Sequence, residues 1–357
     1  MNVALTFNCK LASSISSVAA SPSIVDDRKN GATVATPKAT VDMYAEWDDA
    51  TTIDAVAAAI ESAGHTVTRI EADALLAERL RTERPDIVFN IAEGIGARSR
   101  EAQVPAICEM FGIPHTGSDA VTLGICLDKA HTKEILSYYG IGTARFVVAT
   151  DSQQVTLPFP FPVFVKPVHE GSSKGIFASS VCRNMEDVRR EVVRVTETYH
   201  QPALIEEYLA GREFTVALLG NGTEIAVLPI VEYNFTSLPE GAPRIDSYEA
   251  KWIYDQPDNP LDSLHCPADI SPALQASIGA MCLKAYSTFR ICDWARIDVR
   301  LDGDGAPHII EINPLPGILP KVEDNSCFPK AARTAGISYD RLIQTVLELA
   351  IKRYGLM

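Results

Sequence analysis

WARIDVRLDGDGAPHIIEINPLPG, residues 294–317, carries more structural information than any other part of the chain. It puts Arg296 and Asp298 on one strand and Glu311 and Asn313 on a second, with Asp302-Gly303-Asp304-Gly305 between them. Side chains two apart on a strand share a face, so each pair points one way. The Asp-Gly run predicts a hairpin turn, which brings Asp298 opposite the Glu311 region. Two carboxylates, an amide oxygen and a guanidinium then share a sheet face. Hard oxygen ligands of this kind suit Mg²⁺ carried by nucleotide phosphates, and the guanidinium can meet an anion beside it. Taken alone, the pattern also reads as a surface hairpin with cross-strand ion pairs, because RxD and ExN are short.

A chain of 357 residues is long for one core and predicts two or three domains. With 46% hydrophobic and 22% charged residues the composition is globular, and no apolar run is long enough to span a bilayer. The net charge of -14 argues against broad binding to nucleic acid or anionic membranes, while leaving room for a local basic pocket. Eight scattered cysteines, with no CxxC and no Cys/His cluster at zinc spacing, read as buried thiols of a reducing compartment. Residues 11–21, LASSISSVAAS, lack a basic stretch before them and have no unbroken apolar core, so they do not read as a signal peptide. A cytoplasmic protein is expected.

Asn2 to Phe7 reads as a first strand and residues 12–40 as a polar loop. Helical periodicity over Thr52–Ala63, a strand over His65–Ile70, a helix over 73–83 and an apolar strand over Asp86–Ile91 alternate as in a doubly wound parallel sheet. A helix over 101–111 ends at Gly112, and a further helix carries Asp128, Lys129 and Lys133. From about residue 143 strands become frequent (145–149, 162–166, 203–207, 213–219, 224–231), with helices near 186–199 and 271–289, which suggests α+β. Residues 233–265 have little periodicity and read as a lid over a site or as a flexible insertion. The final helix spans about Tyr339 to Tyr354.

Three further stretches carry chemistry. Lys166 ends the strand Phe164-Val165-Lys166-Pro167, and the small-residue loop Gly171-Ser172-Ser173-Lys174-Gly175 follows, so an ammonium and backbone N–H groups can meet phosphates; a plain turn is the competing reading. Glu206 and Glu207 end a strand that runs on to Glu213; such carboxylates can accept from an adenine amino group or a ribose hydroxyl, or simply keep a strand edge soluble. Lys251 and Trp252, in Tyr248-Glu249-Ala250-Lys251-Trp252, place a cation and a large aromatic in the lid segment. No nucleophile triad and no histidine pair at metal spacing is present. The implied chemistry is electrostatic, with lysines, an arginine and Mg²⁺ around a transferring phosphate.

In their order, LDKAHTK, VKPVHEGSSKG, IEEYLAGREFTV, YEAKW, WARIDVRLDGDG and EINPLPG closely resemble the D-alanine–D-alanine ligase branch of the ATP-grasp superfamily, over about Phe111 to Gly336 and more weakly before it. The resemblance implies an ATP-grasp fold of mixed α/β and α+β type. It would comprise an N-terminal doubly wound parallel-sheet (pre-ATP-grasp) domain (1–125), a small central α+β lobe (126–212) and a C-terminal antiparallel-sheet lobe (213–357) with the lid 233–265. It implies that ATP phosphorylates a carboxylate and that an amine attacks the acyl phosphate, so that an amino acid or carboxylic acid is joined to an amine. By motif, Lys129, Lys166 and Lys251 would bind ATP phosphates, with Ser173 of the loop beside them, and Glu206, Glu207 and Glu213 the adenosine. Asp298, Glu311 and Asn313 would hold two Mg²⁺ ions, with Mn²⁺ as the alternative. Arg296 would stabilise the oxyanion, assisted by the Gly317 N–H, and Ser172 holds the position of the family's loop serine. Members are often dimers, so a homodimer is within what the resemblance implies.

The departures fall on the amino-acid side. The family's glutamate-bearing turn after the first strand is replaced by Phe7-Asn8-Cys9-Lys10, and its HG by Glu93-Gly94. The tyrosine that closes the family's YEAKY is Trp252, which has one donor and no acceptor. Extra residues, Lys321 to Asp324, precede Ser326, where the family's second-substrate serine sits. Glu93, Arg98 and Arg100 are expected to replace the lost contacts and set a different substrate. Competing with the ligase are an ATP-grasp kinase that releases a phosphorylated acceptor and a non-catalytic ATP-binding protein. Arg296 and the Pro316-Gly317 turn favour the ligase, since a kinase has less use for a tetrahedral-oxyanion donor.

Overall fold

A computed structural model describes residues 1–10, 42, 45–96, 98–239, 241–254, 261 and 263–356, with only the backbone of Trp252 and Ile253. The loop expected over 12–40, the signal-like stretch 11–21 and the side chain of Trp252 lie outside the described residues.

The chain builds three sheets. In the first, β1 (Asn2–Phe7) is followed by α1 (Ala50–Ser62), β2 (Thr66–Glu71), α2 (Leu76–Glu83), β3 (Ile87–Asn90) and α3 (Gln103–Phe111). The strands are parallel in the order β2-β1-β3. Burial on both faces explains their apolar runs: Val3, Leu5, Ile87 and Phe89 face one core, Ala4 and Val88 the other. Asp49 starts α1 by accepting from the Thr52 N–H, and Gly112 ends α3 in the left-handed conformation.

The single helix expected to carry Lys129 is two helices, α4 (Ala120–Leu127) and α5 (Lys129–Tyr138), broken at Asp128. The Asp128 carboxylate accepts from the Ala130 and His131 N–H groups, and this N-cap restarts the chain in a new direction. Cys126, Leu136 and Ile141 pack into the core of the third sheet.

The second sheet contains β4 (Phe146–Ala149), β5 (Val163–Pro167), β6 (Val181–Cys182) and, after α6 (Met185–Tyr199), β7 (Ala203–Glu207). Its order is β4-β7-β5-β6, antiparallel throughout. The third sheet has the order β11-β10-β8-β12-β13, built from β8 (Glu213–Leu219), β9 (Ala226–Val227, paired to β8), β10 (Val231–Tyr233) and β11 (Leu264–His265). After α7 (Pro272–Thr288) follow β12 (Trp294–Leu301) and β13 (Pro307–Asn313). The strand expected over 224–231 is split into β9 and β10 around Pro229, which has no N–H to give the ladder. The chain ends with α8 (Cys327–Thr334) and α9 (Tyr339–Tyr354), whose Val346, Leu347 and Ala350 join the core of the first sheet beside α1. All eight cysteines are free thiols. Among the described residues no helix is long and apolar enough to cross a membrane.

Candidate active site

The hairpin of residues 294–317 forms with the expected facing: Arg296 pairs with Asn313 and Asp298 with Glu311. Register then slips, because Val299 pairs with Ile309. The bulge at Ile310 lets both Ile310 and Glu311 line one cavity, where a regular strand would turn them to opposite faces. Arg296 donates to the Asp298 carboxylate at 3.1 Å, and the Asn313 amide donates to the same oxygen at 3.1 Å. The other Asp298 oxygen, Oδ1, and the Arg296 Nε are buried with no hydrogen-bond partner. A buried unsatisfied acceptor beside an unsatisfied donor is costly unless a cation and an anion complete them.

Three lysines face this hairpin. Lys129 is paired with Glu311 at 2.7 Å and donates to the Glu170 carbonyl. Lys166 and Lys133 hold the two oxygens of Glu206, at 2.7 Å and 2.5 Å. All four of Lys129, Lys133, Lys166 and Glu206 are at most 5% exposed. Burial works to neutralise Glu206, but the two lysines outweigh it and hold its carboxyl below the usual range. Burial likewise opposes the charge on Lys166, yet Glu206 and Glu311 keep its ammonium raised; for Lys133 burial wins and its ammonium is lowered.

The Gly171–Gly175 loop has two successive non-glycine residues in the left-handed region, Ser172 (φ 48°) and Ser173 (φ 61°). Such a pair persists only when surroundings fix it. Here the Glu46 carboxylate accepts from the Gly171 N–H at 2.8 Å, Asp42 from the Gly175 N–H at 2.9 Å, and the Ser173 hydroxyl donates to the Asp246 carbonyl at 2.7 Å. The segment after β10 folds across the loop, with the Tyr248 N–H donating to the Ile176 carbonyl at 2.8 Å.

Two cavities meet at the hairpin. One is lined by Lys166, Glu206, Glu207, Glu213 and Asp298, with Phe164, Tyr208 and Leu209 supplying apolar and aromatic walls. The other is lined by Glu93, Glu101, Asn313, Gly317 and Ser326. Ser172, Tyr233, Asp246, Lys251, Arg296 and Glu311 border both.

Most of the expected site residues therefore converge, and the exceptions are specific. Lys129 sits behind the cavities, touching them through Glu311. Arg98 is exposed and paired with Asp128 at 3.1 Å. Arg100 is buried but spent on Glu46, with contacts of 2.7 and 2.9 Å, and on the His169 carbonyl. Lys10, Glu46 and Asp48, which sequence reasoning did not single out as a group, line the second cavity, the two acids standing some forty residues past the first strand. Sequence reasoning also passed over Arg300, which donates to Glu213 at 2.7 Å, to the Tyr208 hydroxyl at 3.2 Å and to the Arg244 carbonyl at 2.6 Å. The signal was available, since Arg300 continues the Arg296, Asp298 alternation on one face of β12.

The profile of the D-ala D-ala ligase C-terminus family matches residues 135–348. The chain is 32% identical over 302 residues to a D-alanine–D-alanine ligase of Actinobacillus pleuropneumoniae, covering 83% of this chain and 91% of the relative. It is 37% identical over 320 residues to the uncharacterized protein y4sG of Sinorhizobium fredii, covering 86% and 90%. In fold it is similar to the D-alanine–D-alanine ligase of Bacillus anthracis complexed with ATP, with a TM-score of 0.69 and 19% identity over 100% of this chain and 99% of that one.

Proposed function

Since the chain belongs to the D-alanine–D-alanine ligase family, and so to the ATP-dependent ligases that form C–N bonds, we propose that it joins two amino acids, or a small carboxylic acid and an amine, across its two cavities. One observation carries this reading. The cavity walled by aromatic and acidic residues and the cavity lined by Gly317 and Ser326 share Lys251, Arg296 and Glu311 as a common wall. A nucleotide in the first would aim its terminal phosphate at a carboxylate in the second.

In the proposed reaction a substrate carboxylate oxygen attacks the terminal phosphorus and ADP leaves. The amine nitrogen then attacks the acyl carbon, phosphate leaves, and the amine gives up a proton. Glu206, Glu207 and Glu213 would orient the adenosine. Lys166 and Lys251 would carry the phosphates, with Lys129 supporting them from behind through Glu311 and the Ser172–Ser173 loop covering them. Asp298, Glu311 and Asn313 would hold Mg²⁺, and the orphaned Asp298 Oδ1 fits that assignment. The ion, when bound, would neutralise phosphate charge. Arg296, whose Nε has no partner, would meet the oxyanion together with the Gly317 N–H. The three sheets would act as three lobes, about 1–125, 126–212 and 213–357.

The test is ADP release with Mg·ATP across paired D- and L-amino acids, with product masses read from each mixture. Amino-acid-dependent ADP with a condensed mass is expected. ADP accompanied only by a phosphorylated acceptor would overturn the ligase reading.

A further inference from the structure

The second cavity opens at the carboxyl ends of β1 and β3, where a parallel sheet presents its ligand-binding loops. Two glutamates enter it from the segment after β3, Glu93 and Glu101. Glu101 is only 9% exposed and Glu93 is part-buried, yet neither carboxylate accepts a hydrogen bond or makes an ion pair among the described residues. The nearest cation in sequence makes no hydrogen bond to either, although the Arg100 guanidinium offsets part of the burial of both carboxyls and Lys129 part of that of Glu101. Arg100 donates instead to both Glu46 oxygens, at 2.7 and 2.9 Å, and to the His169 carbonyl at 2.6 Å. Asp48, on the same wall, has Lys10 opposing its burial. Glu93 and Glu101 are thus two acids facing one cavity with no direct ion pair among the described residues.

We infer that Glu93 and Glu101 form a subsite for a cationic group, and that the acid substrate is an amino acid with a side-chain ammonium, a diamino acid, in preference to alanine. This deepens the proposed ligase reading and rests on it. The single α-ammonium of alanine would balance one of the two carboxylates and leave the other buried beside a methyl group. A second ammonium balances both. An organic cation fits better than another metal ion, because among the described residues no group of three His, Cys, Asp or Glu side chains is arranged to hold one. Burial, followed by mutual repulsion with Glu101, pushes the Glu93 carboxyl well up, and burial pushes Glu101 up to about 7. Both therefore gain when a cation restores their charge.

The experiment measures kcat/KM for ATP-dependent condensation with alanine, 2,3-diaminopropionate, ornithine and lysine as D- and L-enantiomers. At least one diamino acid is expected to exceed alanine of the same hand by about tenfold or more, the worth of one charge-assisted contact. In Glu101→Gln, and separately in Glu93→Gln in case one variant fails to fold, the ratio of diamino acid to alanine should fall by about the same factor. Condensation with alanine equal to or better than every diamino acid, or a ratio unmoved in both variants, overturns the subsite while the ligase reading stands. Absence of any condensed product overturns the ligase reading instead. Calorimetric titration of the same acids into the protein with Mg²⁺ and a non-hydrolysable ATP analogue then decides the subsite, which falls if no diamino acid outbinds alanine.

Discussion

Lys133 is the side chain on which the charge balance of the cavity proposed for the nucleotide turns. It is 1% exposed, lies 2.5 Å from Glu206 and donates to the Thr143 hydroxyl at 2.8 Å. Lys133→Met keeps the volume and removes the charge. Breaking a buried ion pair by deleting one partner costs about 3–5 kcal/mol. Lys166 still holds the other Glu206 oxygen at 2.7 Å, so the expected loss for the empty protein is at the low end, about 3 kcal/mol. That corresponds to a fall of about 1 M in the urea midpoint for a slope of 2–3 kcal/mol/M. A second loss appears only with nucleotide. If Lys166 turns to a phosphate, as proposed, Glu206 keeps a cation in the wild type and has none in the variant. The dissociation constant for Mg·ATP should therefore rise by about tenfold or more, 1.4 kcal/mol, beyond the stability effect.

Urea unfolding with and without Mg·ATP, together with calorimetric ATP affinity, reads both parts. The double variant Lys133→Met, Glu206→Gln should regain more than half of the lost stability, because no unpaired charge is left behind. A wild-type urea midpoint in Lys133→Met refutes the pairing argument. A lowered midpoint with unchanged ATP affinity refutes the exchange of Lys166 from Glu206 to phosphate.

Three further outcomes are expected. Asp298→Asn should lower kcat by about 100-fold and raise the Mg²⁺ concentration for half-maximal activity, with far-ultraviolet circular dichroism unchanged; a wild-type Mg²⁺ dependence would remove Asp298 from the ion site. Arg300→Lys cannot reproduce the fork that serves Glu213, Tyr208 and the Arg244 carbonyl, so KM for ATP should rise by about tenfold, and an unchanged KM would mean that Glu213 needs no such anchor. Burial, opposed by Lys10, pushes the Asp48 carboxyl up to about 7, from about 4 in the unfolded chain. The folded form therefore holds a proton that the unfolded form has released, and this contribution to stability, full below about pH 4, is lost as pH rises toward 7. Against Asp48→Asn, the wild type should lose ground in urea midpoint between pH 4.5 and 7.5, whereas a constant gap would show that Asp48 does not titrate in that window.

The proposed nucleotide side was legible as a cluster because its hairpin residues are close in sequence and lie on regular strands. Arg296, Asp298, Glu311 and Asn313 obey a two-residue period about a DGDG turn, so a local rule fixes their facing. Lys166, Glu206 and Glu213 sit at strand ends, where pattern also works. The break of the Lys129 helix at Asp128 was missed because aspartate reads as an N-cap only once the preceding helix is known to stop. The split of the strand at Pro229 was visible in the sequence and overridden by the apolar run around it. Lys133 gave no signal beyond its place on a helix, since its partner Glu206 is 73 positions away.

The cavity proposed for the amino acid is a different kind of object. Its walls come from the ends of β1 and β3, the segment before α1, the loop of the second sheet and the turn after β13. No period relates such positions, and the partner that each charge takes is decided by packing. Glu93, Arg98 and Arg100 look equivalent in NIAEGIGARSREAQ, three charged residues within eight positions. In the fold Arg98 caps a charge on the outside, Arg100 is consumed by Glu46, and Glu93 remains with its neighbour Glu101 in the cavity. Reading the three as one cluster therefore mixed two basic residues that are already paired with an acid that is not. Once the pairs are subtracted, the acids facing the cavity outnumber Lys10, Lys251 and Arg296, and that surplus is what the proposed cationic group would complete.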